Sequence, residues 1–325
     1  MRNEVKKSMV CKSPIYAYQH KNGGRLKFNY NAFTDKDYVP VTIPCGQCIE
    51  CRKQHAREWA NRILMESKYH DSNYFLTLTY DEEHVPRSVS SASGQMVLTL
   101  CPEHLTLFWK RLRKASFSFR YFAAGEYGDV TFRPHYHAIL FGLDLTDLKE
   151  VGSSSTGDKY YQSETIDKIW SYGHVLIGSV TWESACYVAQ YCLKKQTGVR
   201  SDFYIKNGIV PEFVRMSRRP GIGYRYFEEH PDCMDYTRIN VGSPTGARSF
   251  SPPRYFEKLI EKKYLEDNYG WVDNHQIGFR KAFRARSIAV SEQNMTNNTS
   301  LDTYDQRKVI ADSKNCFKKI RDFTI

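Results

Sequence analysis

No stretch of this 325-residue chain approaches the roughly 20 apolar residues of a membrane span, and its first residues lack the apolar run that begins a secretion signal. The expectation is a soluble intracellular protein. There is no internal repeat and no low-complexity tract, and the length allows one large domain with insertions or two domains. A disulfide framework is not indicated either: the nine cysteines are odd in number, and three are clustered as Cys45-x-x-Cys48-x-x-Cys51, which fits reduced thiols better. Acidic residues are the minority charge, 36 Asp+Glu against 47 Lys+Arg, so the formal charge is +11 and the pI about 9.1. That balance favours a polyanionic partner. Aromatics make up 14% of residues, with 23 tyrosines. Most belong in a core, but exposed rings among basic side chains suit stacking on the unpaired bases of single-stranded nucleic acid.

What is present centres on Arg133-Pro134-His135-Tyr136-His137-Ala138-Ile139-Leu140-Phe141. In a strand, side chains at i and i+2 share a face, so His135 and His137 present two imidazoles side by side while Tyr136 faces the other way. Upstream, Phe117 to Glu126 reads as a strand, and the turn Tyr127 to Arg133 returns the chain into the histidine strand. Such a hairpin puts Glu126 near the level of His135, within reach of a shared ion. Glu126, His135 and His137 are therefore the expected metal ligands. The bland alternative for Glu126 is a strand-end carboxylate paired with a neighbouring Arg or Lys.

Earlier in the chain, Cys45, Cys48 and Cys51 lead into Arg52 to Tyr69, where Ala56, Trp59, Ala60, Ile63 and Leu64 recur at helical spacing. A helix N-terminus favours thiolate, and tetrahedral zinc needs a fourth ligand, for which Cys11 is the first candidate and His55 the second. A metal-free thiol cluster is the alternative. Tyr74 to Tyr80 reads as a central strand, 81–95 as a loop, Met96 to Leu100 as a short strand, and Pro102 to about Lys114 as a helix burying Leu105, Phe108, Trp109 and Leu112. Residues 150–162 read as a flexible surface loop. A short helix around Ile166 to Trp170 and a strand from His174 to Val180 follow.

Thr181 then caps a helix that runs through Lys195 and ends near Gly198. At about 100° per residue, Tyr187, Tyr191 and Lys194 fall on one stripe with Lys195 at its edge. Core packing is the ordinary explanation of such a stripe, but a lysine on it argues otherwise, because an unpaired buried ammonium is costly. Arg218 and Arg219 sit in a basic, glycine-bearing turn before Tyr224, able to approach a nucleic-acid backbone or simply solvated. A helix starts at Pro252-Pro253-Arg254 and runs to about Leu265, and residues 276–325 carry a basic excess.

Taken in order, Cys45-Gly46-Gln47-Cys48-Ile49-Glu50-Cys51-Arg52, Phe75 to Tyr80, Gly125-Glu126-Tyr127-Gly128, Arg133 to Phe141 and the Tyr187 to Lys195 helix resemble the HUH endonuclease superfamily. The narrower resemblance is to rolling-circle replication initiation proteins of small single-stranded-DNA bacteriophages of the microvirus group, gokushovirus type. The histidines precede the tyrosines, as in replication initiators and not in conjugative relaxases.

The resemblance implies an α/β fold of the α+β type, with a central antiparallel β-sheet flanked by helices. Residues 1–70 would form an N-terminal extension with the cysteine site, 71–265 the HUH endonuclease domain, and 266–325 a basic, helical C-terminal tail. It implies Mg²⁺ or Mn²⁺ on Glu126, His135 and His137, with possible structural Zn²⁺ on the cysteines. Tyr187 and Tyr191 would be the nucleophiles and Lys194 the motif lysine, with Lys195, Arg218 and Arg219 contacting DNA. Its partners would be single-stranded origin DNA, the double-stranded replicative form and the host helicase and polymerase, in the cytoplasm of the bacterial host. Gln190 departs from the lysine that often stands between the paired phenols, so which tyrosine cuts first stays open. A non-catalytic zinc-dependent nucleic-acid-binding protein and a single-strand transposase of the same superfamily are the rival readings.

Overall fold

The computed structural model of the chain describes residues 11–20, 26–28, 37–128, 130–154, 157–190, 202–234, 239–243 and 246–267. Backbone contacts divide the chain into two units, one of residues 1–55, 234–237 and 251–325, the other of 56–233 and 238–250. In the first unit, β1 (Ile15–His20) and β2 (Tyr38–Ile43) pair as an antiparallel hairpin closed by Ile15 opposite Ile43. Helix α1 (Ile49–Ser67) begins here, and the division falls inside it, after His55.

The second unit continues with β3 (Asn73–Thr79), β4 (Arg87–Val89), β5 (Met96–Leu98), α2 (Pro102–Lys114), β6 (Arg120–Tyr127) and β7 (Pro134–Phe141). Next come β8 (Leu148–Ser153), β9 (Lys159–Ser163), α3 (Glu164–Trp170), β10 (Val175–Ser179), α4 (Trp182–Gln190), α5 (Asp202–Asn207), β11 (Phe213–Met216) and α6 (Tyr224–Glu229). A hairpin of β12 (Ile239–Ser243) and β13 (Gly246–Phe250) completes it, and α7 (Arg254–Asp267) belongs to the first unit.

Seven strands form one antiparallel sheet in the order β11-β6-β7-β3-β10-β9-β8, flanked by helices, as the motif order implies. The central strand β7 is covered on both faces, which is why Ala138-Ile139-Leu140-Phe141 is an unbroken apolar run. On one face, Tyr136, Ala138 and Leu140 join Leu76, Leu78, Ile177 and the buried side of α2, Leu105, Phe108, Trp109 and Leu112. On the other, Ile139 and Phe141 pack with Phe122, Ala124, Ala60 and Ile63 of α1, and Ala185 and Val188 of α4. His135 and His137 share this second face by alternation, so the apolar stripe of β7 turns polar at one end, beside α4.

Two segments read as loops are paired. Residues 81–95 contain β4, a three-residue strand joined to β5, and 150–162 contain most of the β8–β9 hairpin at the sheet edge. Both are largely exposed and poor in apolar residues, so neither carries the alternation that marks a half-buried strand.

A buried carboxylate ties α1 to the sheet. Glu66 accepts hydrogen bonds from Arg120 on β6 and from the Gly223 N–H at 2.6 Å, with His70 Nε2 at 3.3 Å. Burial alone would push its carboxyl up, yet the bonds from His70 and Gly223 and the Arg120 charge outweigh it and hold the group below the ordinary carboxylate range. Such a group contributes stability above its unfolded pKa and loses it as pH falls through the folded value. Glu66→Gln is expected to cost about 2 kcal/mol at neutral pH. In urea titrations, the gap between variant and parent should close as pH drops below about 4.3, the ordinary glutamate value. A gap that persists into acid would show that the cost is one of shape and not of charge.

Candidate functional site

Antiparallel pairing puts Glu126 directly opposite His135, and Ala124 opposite His137. All four therefore lie on one face, and the small Ala124 leaves room for the imidazole across from it. Glu126 Oε1 lies 2.8 Å from His135 Nε2 and 3.0 Å from His137 Nε2. Glu126 and His137 are buried and His135 is partly exposed. Burial by itself would raise the Glu126 carboxyl, but the hydrogen bonds and charge of the two imidazoles hold it well below the usual carboxylate range. It is an anion at neutral pH.

The far side of each ring fixes its orientation. His135 Nδ1 lies 3.1 Å from the Arg133 carbonyl oxygen, which can only accept, so Nδ1 carries the hydrogen. Nε2 then offers Glu126 either a second proton or, through a lone pair, a shared cation. His137 Nδ1 is 3.1 Å from Thr77 Oγ1 on β3, the strand on its other side, and Phe75 stacks on the ring with centroids 5.5 Å apart. Two imidazole nitrogens and one carboxylate oxygen thus converge within 4.8 Å of one another. Two nitrogen donors and an oxygen donor fit a divalent cation with coordination positions left over, and the outer bonds to Thr77 and Arg133 are those that orient ligand histidines. Thr77 escaped the sequence reading because its role depends on which strand lies beside β7.

Helix α4 brings the phenol. Its start is fixed by a reciprocal cap, Ser184 N–H to Thr181 Oγ1 at 3.1 Å and Thr181 N–H to Ser184 Oγ at 2.8 Å. Trp182 donates to Asn61 Oδ1 at 3.2 Å, while Arg248 of β13 pairs with Glu183 at 2.7 Å and stands over the Trp182 ring. So anchored, α4 lays Ala185 and Val188 on the sheet and sets the half-buried Tyr187 beside His137, with its hydroxyl 3.4 Å from Nε2. Phe75 touches the same tyrosine edge-on.

Residues 73–196 match the family model of the Replication-associated protein ORF2. The chain is 34% identical over 276 residues to Replication-associated protein ORF2 of Spiroplasma virus 4, covering 80% of this chain and 83% of that protein. The chain belongs to the replication-associated protein family. Replication-associated protein VP4 of Bdellovibrio phage phiMH2K is 34% identical over 259 residues, covering 74% of this chain and 77% of its own. Replication-associated protein ORF4 of Chlamydia phage 1 is 28% identical over 280 residues, covering 83% and 65%. No solved structure matches. The likeness to replication proteins of small phages, drawn from the motifs, is borne out.

The family match encloses Glu126, His135, His137 and Tyr187, and it also encloses Tyr191, Lys194 and Lys195, which lie outside the described residues. Arg218 and Arg219 are exposed on a turn held by three contacts: Arg120 to the Pro220 carbonyl at 2.7 Å, Arg62 to that of Ile222, and Glu66 to Gly223. Cys11, Cys45, Cys48 and Cys51 come together in the first unit. His55, the second candidate for the fourth place there, is not of that group. Among the described residues, no helix is long and apolar enough to cross a membrane.

Proposed function

We propose that this replication-associated protein initiates rolling-circle replication, nicking the phage replicative form at its origin and later rejoining the displaced strand. The observation that supports this best is the Tyr187 hydroxyl 3.4 Å from His137 Nε2, beside the Glu126, His135 and His137 cluster. Those three side chains would hold Mg²⁺ or Mn²⁺, and two imidazoles suit Mn²⁺ better, since Mg²⁺ prefers oxygen donors. Such a cation, when bound, neutralises phosphate charge and polarises the bond to the leaving oxygen.

A phenol has an ordinary pKa near 10, so its ionisation at neutral pH needs positive charge close by, which this position beside the cluster and the motif lysine Lys194 would give Tyr187. The phenol oxygen attacks phosphorus in line, and the bond from phosphorus to the 3′ oxygen breaks. Tyr187 keeps the 5′ phosphate, the phenol proton is lost, and the 3′ oxygen gains a proton as a free hydroxyl. Because the phosphotyrosine bond retains the diester's free energy, the reverse attack rejoins DNA without a nucleotide cofactor. Tyr191, one helical turn on in sequence, is assigned the second attack, on the regenerated junction. Lys195, Arg218 and Arg219 contact the backbone of single-stranded origin DNA, and host helicase and polymerase extend the freed 3′ end in the host cytoplasm.

Incubating the full chain with the phage replicative form and Mn²⁺ tests the reading. The expected product is a nicked circle with protein attached at its 5′ end after denaturation. Binding without cleavage would favour a non-catalytic nucleic-acid-binding protein. A subtler result is expected of Thr77→Val, which keeps side-chain volume but removes the bond to His137 Nδ1: Mn²⁺ affinity should fall about tenfold, measured by calorimetry. Unchanged affinity would mean that the hydroxyl does not orient the ring.

A further inference from the structure

The four cysteines of the first unit lie apart from the site just described, and their sulfurs form a cage. Cys45 Sγ is 4.0 Å from Cys51 Sγ, Cys48 Sγ is 3.8 Å from Cys11 Sγ, and all four lie within 4.8 Å of one another. No disulfide joins them, and each is only partly exposed. With metal–sulfur bonds of about 2.3 Å, a tetrahedral ion sets its sulfurs about 3.8 Å apart. The three-cysteine run also occurs in iron–sulfur proteins, but a four-iron cluster binds each thiolate to a different iron and needs a wider cage.

Backbone N–H groups point at the sulfurs as they would at thiolates: Cys45 N–H to Cys11 Sγ at 3.3 Å, Cys48 N–H to Cys45 Sγ at 3.3 Å and Cys51 N–H to Cys48 Sγ at 3.5 Å. Hydrogen bonds of this kind favour the charged form that binds metal. The place in the fold gives such an ion a use. Cys11 lies just before β1, Cys45 just after β2, and Cys51 in the first turn of α1. The β1–β2 hairpin has only Ala17 buried along its two strands, too little to hold an isolated hairpin together.

We infer that Cys11, Cys45, Cys48 and Cys51 bind one zinc ion as four thiolates, a structural site that clamps the open end of the β1–β2 hairpin to the start of α1. A closed tetrathiolate leaves no position for substrate, so the site is structural and separate from the nicking chemistry. Its binding free energy is folding free energy for a segment with little core of its own.

The test is metal analysis of the purified full chain after gel filtration, carried out in the Glu126→Gln background so that the histidine site cannot contribute. About one equivalent of zinc is expected, and replacing it with Co²⁺ should give the near-ultraviolet sulfur-to-cobalt band whose intensity counts thiolates. Cys11→Ser should weaken that band by about a quarter and release zinc more readily, whereas Cys101→Ser should leave both unchanged. Where a serine variant fails to fold, native-state alkylation of the parent decides: the four thiols should be protected until a chelator is added. Iron with inorganic sulfide in place of zinc, a Co²⁺ band unaffected by Cys11→Ser, or alkylation of the four at the rate of Cys101 without chelator would each overturn the inference.

Discussion

The variant carrying both Tyr187→Phe and Tyr191→Phe is expected to form no denaturation-resistant adduct with origin DNA, a loss on the order of 10³-fold or more in cleavage. The change is small in structural terms. The Tyr187 ring keeps its edge contacts with Phe75 and His137 when the hydroxyl is removed, and that hydroxyl sits at 3.4 Å from Nε2, a long hydrogen bond. Melting temperature and DNA affinity should therefore stay close to the parent's while cleavage disappears. Tyr187→Phe alone separates the two phenols. If Tyr187 makes the first cut, the single variant loses adduct as fully as the double; if Tyr191 does, the single variant still cuts but cannot complete the second transfer that releases a closed circle. An adduct formed by the double variant at the parental rate would remove both phenols from the mechanism.

How far the site was legible in the sequence depends on how local each part is. His135 and His137 share a face because of strand alternation, which a nine-residue window shows, and Glu126 follows once the intervening segment is read as a turn. The register then places it opposite His135. Likewise Leu105, Phe108, Trp109 and Leu112 announce the buried side of α2 by spacing alone. What stayed hidden depends on neighbours distant in the chain. Thr77 serves His137 only because β3 lies beside β7, and Arg248 steadies the start of the tyrosine helix from 65 residues downstream. The β8–β9 hairpin is strand because Tyr160 and Tyr161 pair with Gly178 and Ile177 of β10, while its own Gly-Ser-Ser-Ser-Thr-Gly stretch reads as loop. Gly125 is of the same kind. It precedes the carboxylate without apparent reason until Phe213 of β11 is seen covering it, so closely that an added Cβ would stand 2.8 Å from the ring.

Glu126→Gln should abolish the response to Mn²⁺ without unfolding the protein. Glu126 is buried and its carboxylate is shared by two imidazoles, so it holds negative charge where the rest of β6 and β7 is apolar. Such an anion is retained at a cost unless a cation joins it, and glutamine keeps the shape while removing the charge. In the parent, Mn²⁺ at about a hundred times its Kd adds about 2.7 kcal/mol of stability, since the ion binds only the folded chain. Thermal melts of zinc-loaded protein with and without Mn²⁺ read this directly. The parent should shift upward by several degrees, the glutamine variant should not shift, and cleavage should fall by about 10²-fold or more while single-stranded DNA still binds. If the variant gains as much stability from Mn²⁺ as the parent does, the ion is held elsewhere and the carboxylate serves only to orient the two rings. If it cleaves at the parental rate, the convergence of Glu126, His135 and His137 is structural, and the charge that activates the phenol must come from side chains further along the tyrosine helix.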